Sequence, residues 1–373
     1  MSDKIPVTVL TGYLGAGKTT LLNRILSEPH GHKFAVIVNE FGDIGIDSDL
    51  VVNADEEVFE MNNGCVCCTV RGDLIRIIDG LMRRKGRFDA IIVETTGLAD
   101  PAPVAQTFFV DADVGRRTRL DAVVTVADAR WLRDRLGDSP EAKNQIAFAD
   151  VILINKTDLV SEAELLDVEA HVRAINPYAD IHRTERCEVP IGRVLNRKAF
   201  DLDRILDLEP KFLDAAEDAH DHHHDHDHDH DGHDHEHDHG HEHDHDHPHE
   251  NGHDEHAHAR EPARSASSLP HYHDEDMQAL ALRTDTPLDP DRFFAWIQKL
   301  VAEEGPKILR SKGILSFKND PERFVFQGVH MILDGDHQRP WRDDERRESR
   351  IVFIGRELPE ATIRQGFADC AAP

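Results

Sequence analysis

A glycine-rich loop near the amino terminus has the residue types and spacing of a Walker A phosphate-binding loop: Gly12-Tyr13-Leu14-Gly15-Ala16-Gly17-Lys18-Thr19-Thr20. It follows an apolar run at 7–10 and leads into a helical pattern, which is the context that such a loop requires. Backbone N–H groups of the loop would surround phosphate oxygens, assisted by the helix N-terminus. Lys18 would reach the β- and γ-phosphates, and the Thr19 hydroxyl would bind Mg²⁺. The loop therefore predicts a nucleoside triphosphate site rather than a ligand-free turn.

A second motif, Asn155-Lys156-Thr157-Asp158, follows the apolar run 151–154 and has the pattern with which GTPases recognise guanine. Asp158 would accept hydrogen bonds from guanine N1–H and the 2-amino group. Adenine offers neither donor, so its binding would leave a carboxylate unpaired. The stem of Lys156 can cover the base, and Asn155 can connect this loop to the Walker A loop. The alternative is a polar strand–helix turn in which Asp158 caps a helix.

Two further turns fit a nucleotide site. The apolar run 90–93 ends in the Walker B position, Glu94-Thr95-Thr96-Gly97. Glu94 could hold Mg²⁺ through water or orient the attacking water, and the Gly97 amide could contact the γ-phosphate. Near the end of the last apolar run, Thr184 and Glu185 occupy the turn that in GTPases contacts guanine O6.

Three cysteines crowd into one turn between the two phosphate-binding motifs, in the sequence Gly64-Cys65-Val66-Cys67-Cys68. Three thiolates can supply three ligands to a tetrahedral ion and leave the fourth position open, as a site that releases its metal requires. Thiolates favour Zn²⁺ or Cu⁺ over Mg²⁺. Glu40 or Asp43 could supply the fourth ligand. The alternatives are three buried structural cysteines or a redox pair.

The elements that must position these motifs alternate between apolar runs and helical patterns. The candidate strands are 7–10, 34–38, 90–93, 122–126 and 151–154, with a last one near 181–185. This alternation predicts an α/β fold with a mainly parallel sheet covered on both faces. The polar stretch 44–55 has the composition of a loop. We expect the nucleotide-binding domain to span residues 1–210.

Composition changes abruptly after this domain. Residues 220–258 hold 19 of the 27 histidines and 14 acidic residues, with almost no apolar side chain. Such a segment cannot bury a core, so we expect a disordered linker over residues 211–270. Imidazole and carboxylate groups together suit Zn²⁺, Ni²⁺ or Co²⁺, which favours weak metal buffering over a plain acidic linker.

The remainder, residues 271–373, predicts a small α+β domain. Its pattern indicates strands at 277–283, 308–317, 323–333 and 349–355, with helices at 291–301 and 361–367. No catalytic constellation is visible in it.

Composition excludes several classes of protein. The net charge of −29 argues against nucleic-acid binding, and no apolar run is long enough to span a bilayer. Five cysteines in 373 residues do not suit a secreted disulfide scaffold. The N-terminal sequence lacks the apolar region of a signal peptide. These features favour a cytoplasmic protein.

Taken together, the motifs resemble those of the CobW-like GTPases, the family that includes zinc chaperones and the CobW protein of cobalamin synthesis. The resemblance rests on the Walker A loop, Glu94-x2-Gly97, the cysteine motif and these further segments: Asn39-Glu40-Phe41-Gly42, Asn155-Lys156-Thr157-Asp158, Gln327-Gly328-Val329-His330, Trp341 and Ile354-Gly355. It covers the whole chain except the His-rich segment. Asp43 departs from the glutamate that the family often has there.

The resemblance implies a P-loop GTPase domain with a C-terminal α+β domain, acting as a GTP-hydrolysing metallochaperone. GTP, Mg²⁺ and Zn²⁺ are the expected ligands, and a client zinc metalloprotein is the expected partner; a homodimer stays open. Nucleotide state would alter zinc affinity at the cysteine motif, since residues 40–72 lie where GTPases place their switch segments. Two alternatives remain: a cobalt chaperone of the cobalamin pathway, and a non-enzymatic zinc buffer.

Overall fold

The computed structural model describes residues 4–28, 31–39, 57–61, 68–83, 88–197, 276–343 and 345–372. Glu40, Asp43, Cys65, Cys67 and the His-rich segment 220–258 lie outside the described residues. Within the described part of the chain, no helix combines the length and the apolar character needed to cross a bilayer.

The first part of the chain contains seven strands that form one parallel sheet in the order β3-β2-β4-β1-β5-β6-β7. The strands are β1 (Ile5–Thr11), β2 (Phe34–Asn39), β3 (Glu57–Met61), β4 (Ala90–Glu94), β5 (Thr118–Asp128), β6 (Val151–Asn155) and β7 (Asp180–Arg183). The helices are α1 (Lys18–Ser27), α2 (Cys68–Met82), α3 (Ala102–Val110), α4 (Ala112–Arg117), α5 (Leu132–Asp138), α6 (Pro140–Phe148) and α7 (Glu162–Ile175).

Both faces of this sheet are buried, as expected for parallel strands. Because side chains alternate along a strand, Ala35 and Ile37 of β2 enter one core layer, whereas Phe34 and Val36 enter the other. The first layer packs against α2 and α3, and the second against Leu21, Leu22 and Ile25 of α1. The α/β fold predicted from the alternating pattern is confirmed.

The C-terminal part forms a five-stranded antiparallel sheet in the order β11-β10-β9-β12-β8. Its elements are β8 (Gln278–Thr284), α8 (Pro290–Glu304), β9 (Ile308–Leu315), β10 (Glu322–Val329), β11 (Ile332–Pro340), β12 (Ser349–Gly355) and α9 (Glu360–Asp369). One face packs against α8 and α9, since Ile351 and Phe353 join the core that contains Phe293 and Phe367.

The opposite face of this antiparallel sheet packs on the nucleotide-binding domain. Val352 and Ile354 of β12 belong to the same buried cluster as Phe148 at the end of α6. A buried ion cluster lies beside them: Arg310 of β9 donates to Asp150 Oδ1 at 2.6 Å, and Lys312 donates to the same oxygen. The other carboxylate oxygen accepts the Val123 N–H at 2.8 Å. The two sheets are thus joined by apolar packing and a satisfied buried charge cluster.

The structure corrects the sequence prediction in two places. The edge strand β3 was not predicted, because its short sequence contains glutamates at positions 57 and 60; among the described strands it pairs with β2 alone. The predicted strand 323–333 is two strands, β10 and β11, paired with Val329 opposite Ile332. His330 lies in the turn with a φ of 52°. The sequence does not predict this turn, because it lacks the Asn-Gly, Asp-Gly or Gly-Gly pairs typical of short hairpins.

Candidate nucleotide site

The predicted nucleotide motifs meet at one edge of the parallel sheet. The Walker A loop follows β1, Glu94 ends β4 and Asn155 ends β6. Together with β5, these strands form the consecutive run β4-β1-β5-β6, in which β1 pairs with β4 on one side and with β5 on the other. The order of strands reverses at β1, which is where open α/β sheets bind ligands beyond their carboxyl ends.

The Walker A loop has the backbone that a phosphate site needs. Gly17 precedes α1 with a φ of 117°, in the left-handed region, and no side chain caps the helix. The first N–H groups of α1 therefore have no side-chain cap competing for them. Thr19 and Thr20 are exposed on the first turn, as are Leu14 and Gly15 in the loop.

Lys18 is buried and lies across the loop, where its ammonium group donates to Gly12 O at 2.8 Å and to Tyr13 O at 3.3 Å. Burial lowers the pKa of Lys18, and the nearby Glu94 carboxylate opposes that shift. The two residues predicted to be catalytic thus lie within electrostatic range of each other. Neutral carbonyl groups hold the ammonium charge where a phosphate would arrive.

Gly97 lies against the Walker A loop with no space for a side chain. A Cβ at Gly97 would lie 2.7 Å from the Leu14 backbone nitrogen. Beside it, Thr95 Oγ1 donates to Thr11 Oγ1 at 2.9 Å and the Thr95 N–H donates to Leu10 O. The segment after β4 is therefore fixed next to the loop at its start.

Asn155 connects the second motif to the Walker A loop, as the sequence predicts. Its Nδ2 donates to Ala16 O at 2.9 Å, while its Oδ1 accepts the Cys187 N–H at 2.8 Å and the Thr184 hydroxyl at 3.2 Å. Thr157 in turn donates from Oγ1 to Thr184 O at 3.2 Å. The turn that carries Thr184 is thus brought to the predicted base-binding loop.

Lys156 and Asp158 are placed differently from each other. The Lys156 ammonium donates to Gly15 O and to Asp128 Oδ2, both at 2.7 Å. Asp158 lies exposed on a short 3-10 turn and does not cap the next helix, because Ser161 is the N-cap of α7 and forms a capping box with Glu164. The helix-cap alternative for Asp158 is therefore wrong.

Comparison with known proteins gives two family matches that span most of the chain. Residues 6–183 match the CobW/HypB/UreG nucleotide-binding domain, and residues 277–371 match the C-terminal domain of the cobalamin synthesis protein CobW. The zinc chaperone YjiA of Escherichia coli is 31% identical over 371 residues, covering 98% of both chains. This chain belongs to the CobW family of P-loop GTPases.

Two further comparisons agree with this assignment. A zinc-regulated GTPase metalloprotein activator 1 from Schizosaccharomyces pombe is 42% identical over 214 residues, covering 56% of this chain and 50% of the relative. The crystal structure of Zn(II)-bound YjiA GTPase from E. coli superposes with a TM-score of 0.67 at 28% identity, covering 99% of this chain and all of that one. The predicted family, fold and GTPase activity are confirmed.

The metal site of this CobW-family GTPase stays a prediction. Cys65, Cys67 and Glu40 lie outside the described residues, and Cys68 is the first residue of α2. Within the described ranges, no three His, Cys, Asp or Glu side chains are grouped so as to hold a metal ion. The motif is nevertheless bracketed by Met61, at the carboxyl end of β3, and by the start of α2.

Three residues at the nucleotide edge were missed by the sequence prediction. Asp128 pairs with Lys156, Cys187 contacts Gly17 O through its sulfur at 3.4 Å, and Gln145 donates to the segment after Glu94. None lies in a recognisable motif. Only the position of Asp128 at the end of an apolar run could have indicated a role, by the same rule that identified Glu94 and Asn155.

Proposed function

We propose that this CobW-family GTPase binds Zn²⁺ at Cys65, Cys67 and Cys68 and transfers it to a client metalloprotein in a cycle driven by GTP hydrolysis. The observation that carries the proposal is the common edge of the sheet. The Walker A loop, the Glu94–Gly97 segment and the end of β3, which precedes the cysteines in the sequence, all lie at the carboxyl ends of strands of one parallel sheet.

Different residues at this edge would bind different parts of the nucleotide. Asp158 and the Lys156 stem would hold guanine, and Lys18 with the backbone of the Walker A loop would hold the phosphates. Thr19 would hold Mg²⁺, which when bound neutralises charge on the β- and γ-phosphate oxygens. Gly97 would donate its N–H to the γ-phosphate, and Glu94 would orient the attacking water.

The metal enters as cargo. Segments that contact γ-phosphate change order or position when it leaves. In the sequence, the cysteine motif lies between the end of β3 and the first residue of α2, Cys68. Three thiolates bind Zn²⁺ at about 2.3 Å in a tetrahedron, so a small displacement of one cysteine weakens the site. GTP should therefore favour zinc retention and hydrolysis should favour release. The names of the relatives, zinc chaperone and zinc-regulated activator, support zinc over cobalt.

The test is a zinc competition against a chromophoric chelator, once with a non-hydrolysable GTP analogue and once with GDP. Reciprocal coupling of about 1–3 kcal/mol predicts a 5- to 150-fold tighter zinc affinity in the triphosphate state. Co²⁺ measured in parallel distinguishes the zinc chaperone from a cobalt chaperone. Equal zinc affinity in both nucleotide states would refute the proposal.

Two variants serve as controls. Cys67→Ala should lose tight zinc binding and still bind GTP. A chain without residues 220–258 should keep GTP turnover and the tight zinc equivalent while losing weaker equivalents. Loss of the tight equivalent on this deletion would instead favour the zinc-buffer function.

A further inference from the structure

Gln145 of α6 holds the segment that follows Glu94. Its buried Nε2 donates to Gly97 O at 3.1 Å and to Ala99 O at 3.2 Å. Only the amide nitrogen can donate, so the orientation of this side chain is set by the two carbonyl groups. Gln145 thereby fixes the backbone on the carbonyl side of Gly97, whose N–H we expect to contact the γ-phosphate.

The neighbouring residue, Asn144, extends this connection to the C-terminal domain. Its Nδ2 donates to Asp100 Oδ2 at 3.0 Å, and its Oδ1 accepts from the Arg356 guanidinium at 2.7 Å. The Asp100 carboxylate can only accept and the Arg356 guanidinium can only donate. The Asn144 amide therefore satisfies both in one orientation, with its nitrogen towards Asp100 and its oxygen towards Arg356. Arg356 directly follows β12 of the antiparallel sheet.

The C-terminal domain also holds the other end of α6. Arg310 donates to Phe148 O, and the His330 ring lies 5.8 Å from the Phe148 ring, centroid to centroid. His330 forms the turn between β10 and β11 and lies near enough to Asp100 for that carboxylate to oppose the lowering of the His330 pKa by burial. Arg356 also donates to Pro140 O, at the amino end of α6, at 3.4 Å. Helix α6 is thus held by the C-terminal domain at both ends while it bonds to residues 97–100.

We propose that Gln145 and Asn144 are positioning residues for GTP hydrolysis. Through Arg356, the rate of hydrolysis depends on how the C-terminal domain packs on the nucleotide-binding domain. The residues act on the segment 97–100 and through it on the γ-phosphate. A client or cargo that shifts the antiparallel sheet would then change turnover without contacting the nucleotide. The proposal rests on the nucleotide half of the proposed function and is independent of the cysteine motif.

The effect should be specific to the γ-phosphate. GDP would contact the Walker A loop and the guanine loop. Among the residues that the structure describes, the side chains of Gln145 and Asn144 bond to neither loop. Loosening residues 97–100 should therefore lower kcat and the affinity for a GTP analogue, while GDP affinity stays constant. A merely structural role would reduce stability without this asymmetry.

The experiment compares full-length variants under metal-free conditions with Mg²⁺ present. Gln145→Met keeps the shape and removes the donor, and its kcat should fall about tenfold while GDP affinity changes less than about twofold. Asn144→Ala and Arg356→Ala should each lower kcat by about threefold to fivefold. Arg364→Ala removes an exposed arginine that pairs with Glu360 on α9, and should leave kcat unchanged.

A double-variant cycle tests whether the contacts form one chain. Asn144→Ala combined with Arg356→Ala should be no slower than Asn144→Ala alone, because removing the amide already disconnects the guanidinium from Asp100. The remaining hydrogen bond of Arg356, to Pro140 O at 3.4 Å, does not reach residues 97–100. Additive effects, an unchanged kcat in Gln145→Met, or an equal loss of GDP and GTP-analogue affinity would each overturn the proposal. If Gln145→Met does not fold, the double-variant cycle of Asn144 and Arg356 tests the proposal by itself. Failure of wild-type turnover would instead contradict the nucleotide site itself.

Discussion

Lys18, which is buried, and Lys312, whose side chain is 12% exposed, lie in two different charge environments. At the nucleotide edge, Lys18 is held by the neutral carbonyl groups of Gly12 and Tyr13, with Glu94 in electrostatic range. At the junction between the sheets, Lys312 bonds directly to Asp150. Burial lowers the pKa of both lysines, to about 8 for Lys312.

The two sites differ in the group that neutralises the lysine charge. Burial would raise the pKa of Asp150, but Arg310 and Lys312 outweigh it and hold that pKa below its usual range. The charges at the junction therefore pair within the chain, whereas we predict that the ammonium group of Lys18 pairs with a phosphate of the bound nucleotide. Removal of a charge should reduce stability at the junction and reduce activity at the nucleotide edge.

Asp150→Ala should have the largest effect on folding. Removing one member of a buried ion cluster leaves Arg310 and Lys312 without their carboxylate, which typically costs about 3–5 kcal/mol. Denaturant unfolding should show this loss. Asp285→Ala, which breaks only an exposed pair with Arg346, should cost less than about 1 kcal/mol. Similar losses in both variants would contradict the contrast between the regions.

Lys18→Ala should show the opposite behaviour. We expect kcat for GTP to fall about 10²–10³-fold, the usual consequence of removing one charged donor from a developing oxyanion. The free energy of unfolding should stay within about 1 kcal/mol of wild type, because the Lys18 ammonium group donates to the neutral carbonyl groups of Gly12 and Tyr13. Steady-state phosphate release and denaturant unfolding measure the two quantities. A destabilisation as large as that of Asp150→Ala would remove the distinction.

Asp158→Ala should separate the contribution of the guanine-binding loop from that of the Walker A loop. The exposed carboxylate would gain two hydrogen bonds from guanine, each worth about 0.5–1.5 kcal/mol, the net value of a typical hydrogen bond. We expect GTP affinity to fall by about 10- to 100-fold and ATP affinity to stay constant, so that discrimination is lost. Isothermal titration with both nucleotides checks this. Unfolding should be unaffected, since Ser161 caps the following helix.

The smallest effect concerns the pH dependence of stability at the junction. The folded pKa of Lys312, about 8, is below the unfolded value of about 10.4. Between these values the unfolded chain binds more protons, so the free energy of unfolding should rise with pH in this window. The rise should be about 1 kcal/mol over one pH unit and should be absent in Lys312→Met. Parallel slopes for the two proteins would contradict the assigned burial.

The sequence was most informative where function depends on contiguous residues. The Walker A loop and Asn155–Asp158 were visible because each motif brings its own backbone and side chains to the ligand. Gln145 bonds to Gly97 across 48 positions and Arg356 to Asn144 across 212, so no local pattern could reveal either. The turn at His330 was missed because its positive φ is imposed by pairing of β10 with β11.

The two cysteines outside the CxCC motif have a practical consequence for chemical labelling. Cys187 and Cys370 are both buried, and burial raises the pKa of each thiol to about 11. At neutral pH both thiols are protonated and shielded, and therefore nearly inert towards maleimides or alkylating agents. A thiol reagent applied to the folded protein should then label Cys65, Cys67 and Cys68 selectively. Cys187 and Cys370 need not be replaced beforehand. Protection of those three by metal, followed through a nucleotide cycle by mass spectrometry, gives a readout of loading in the wild-type chain.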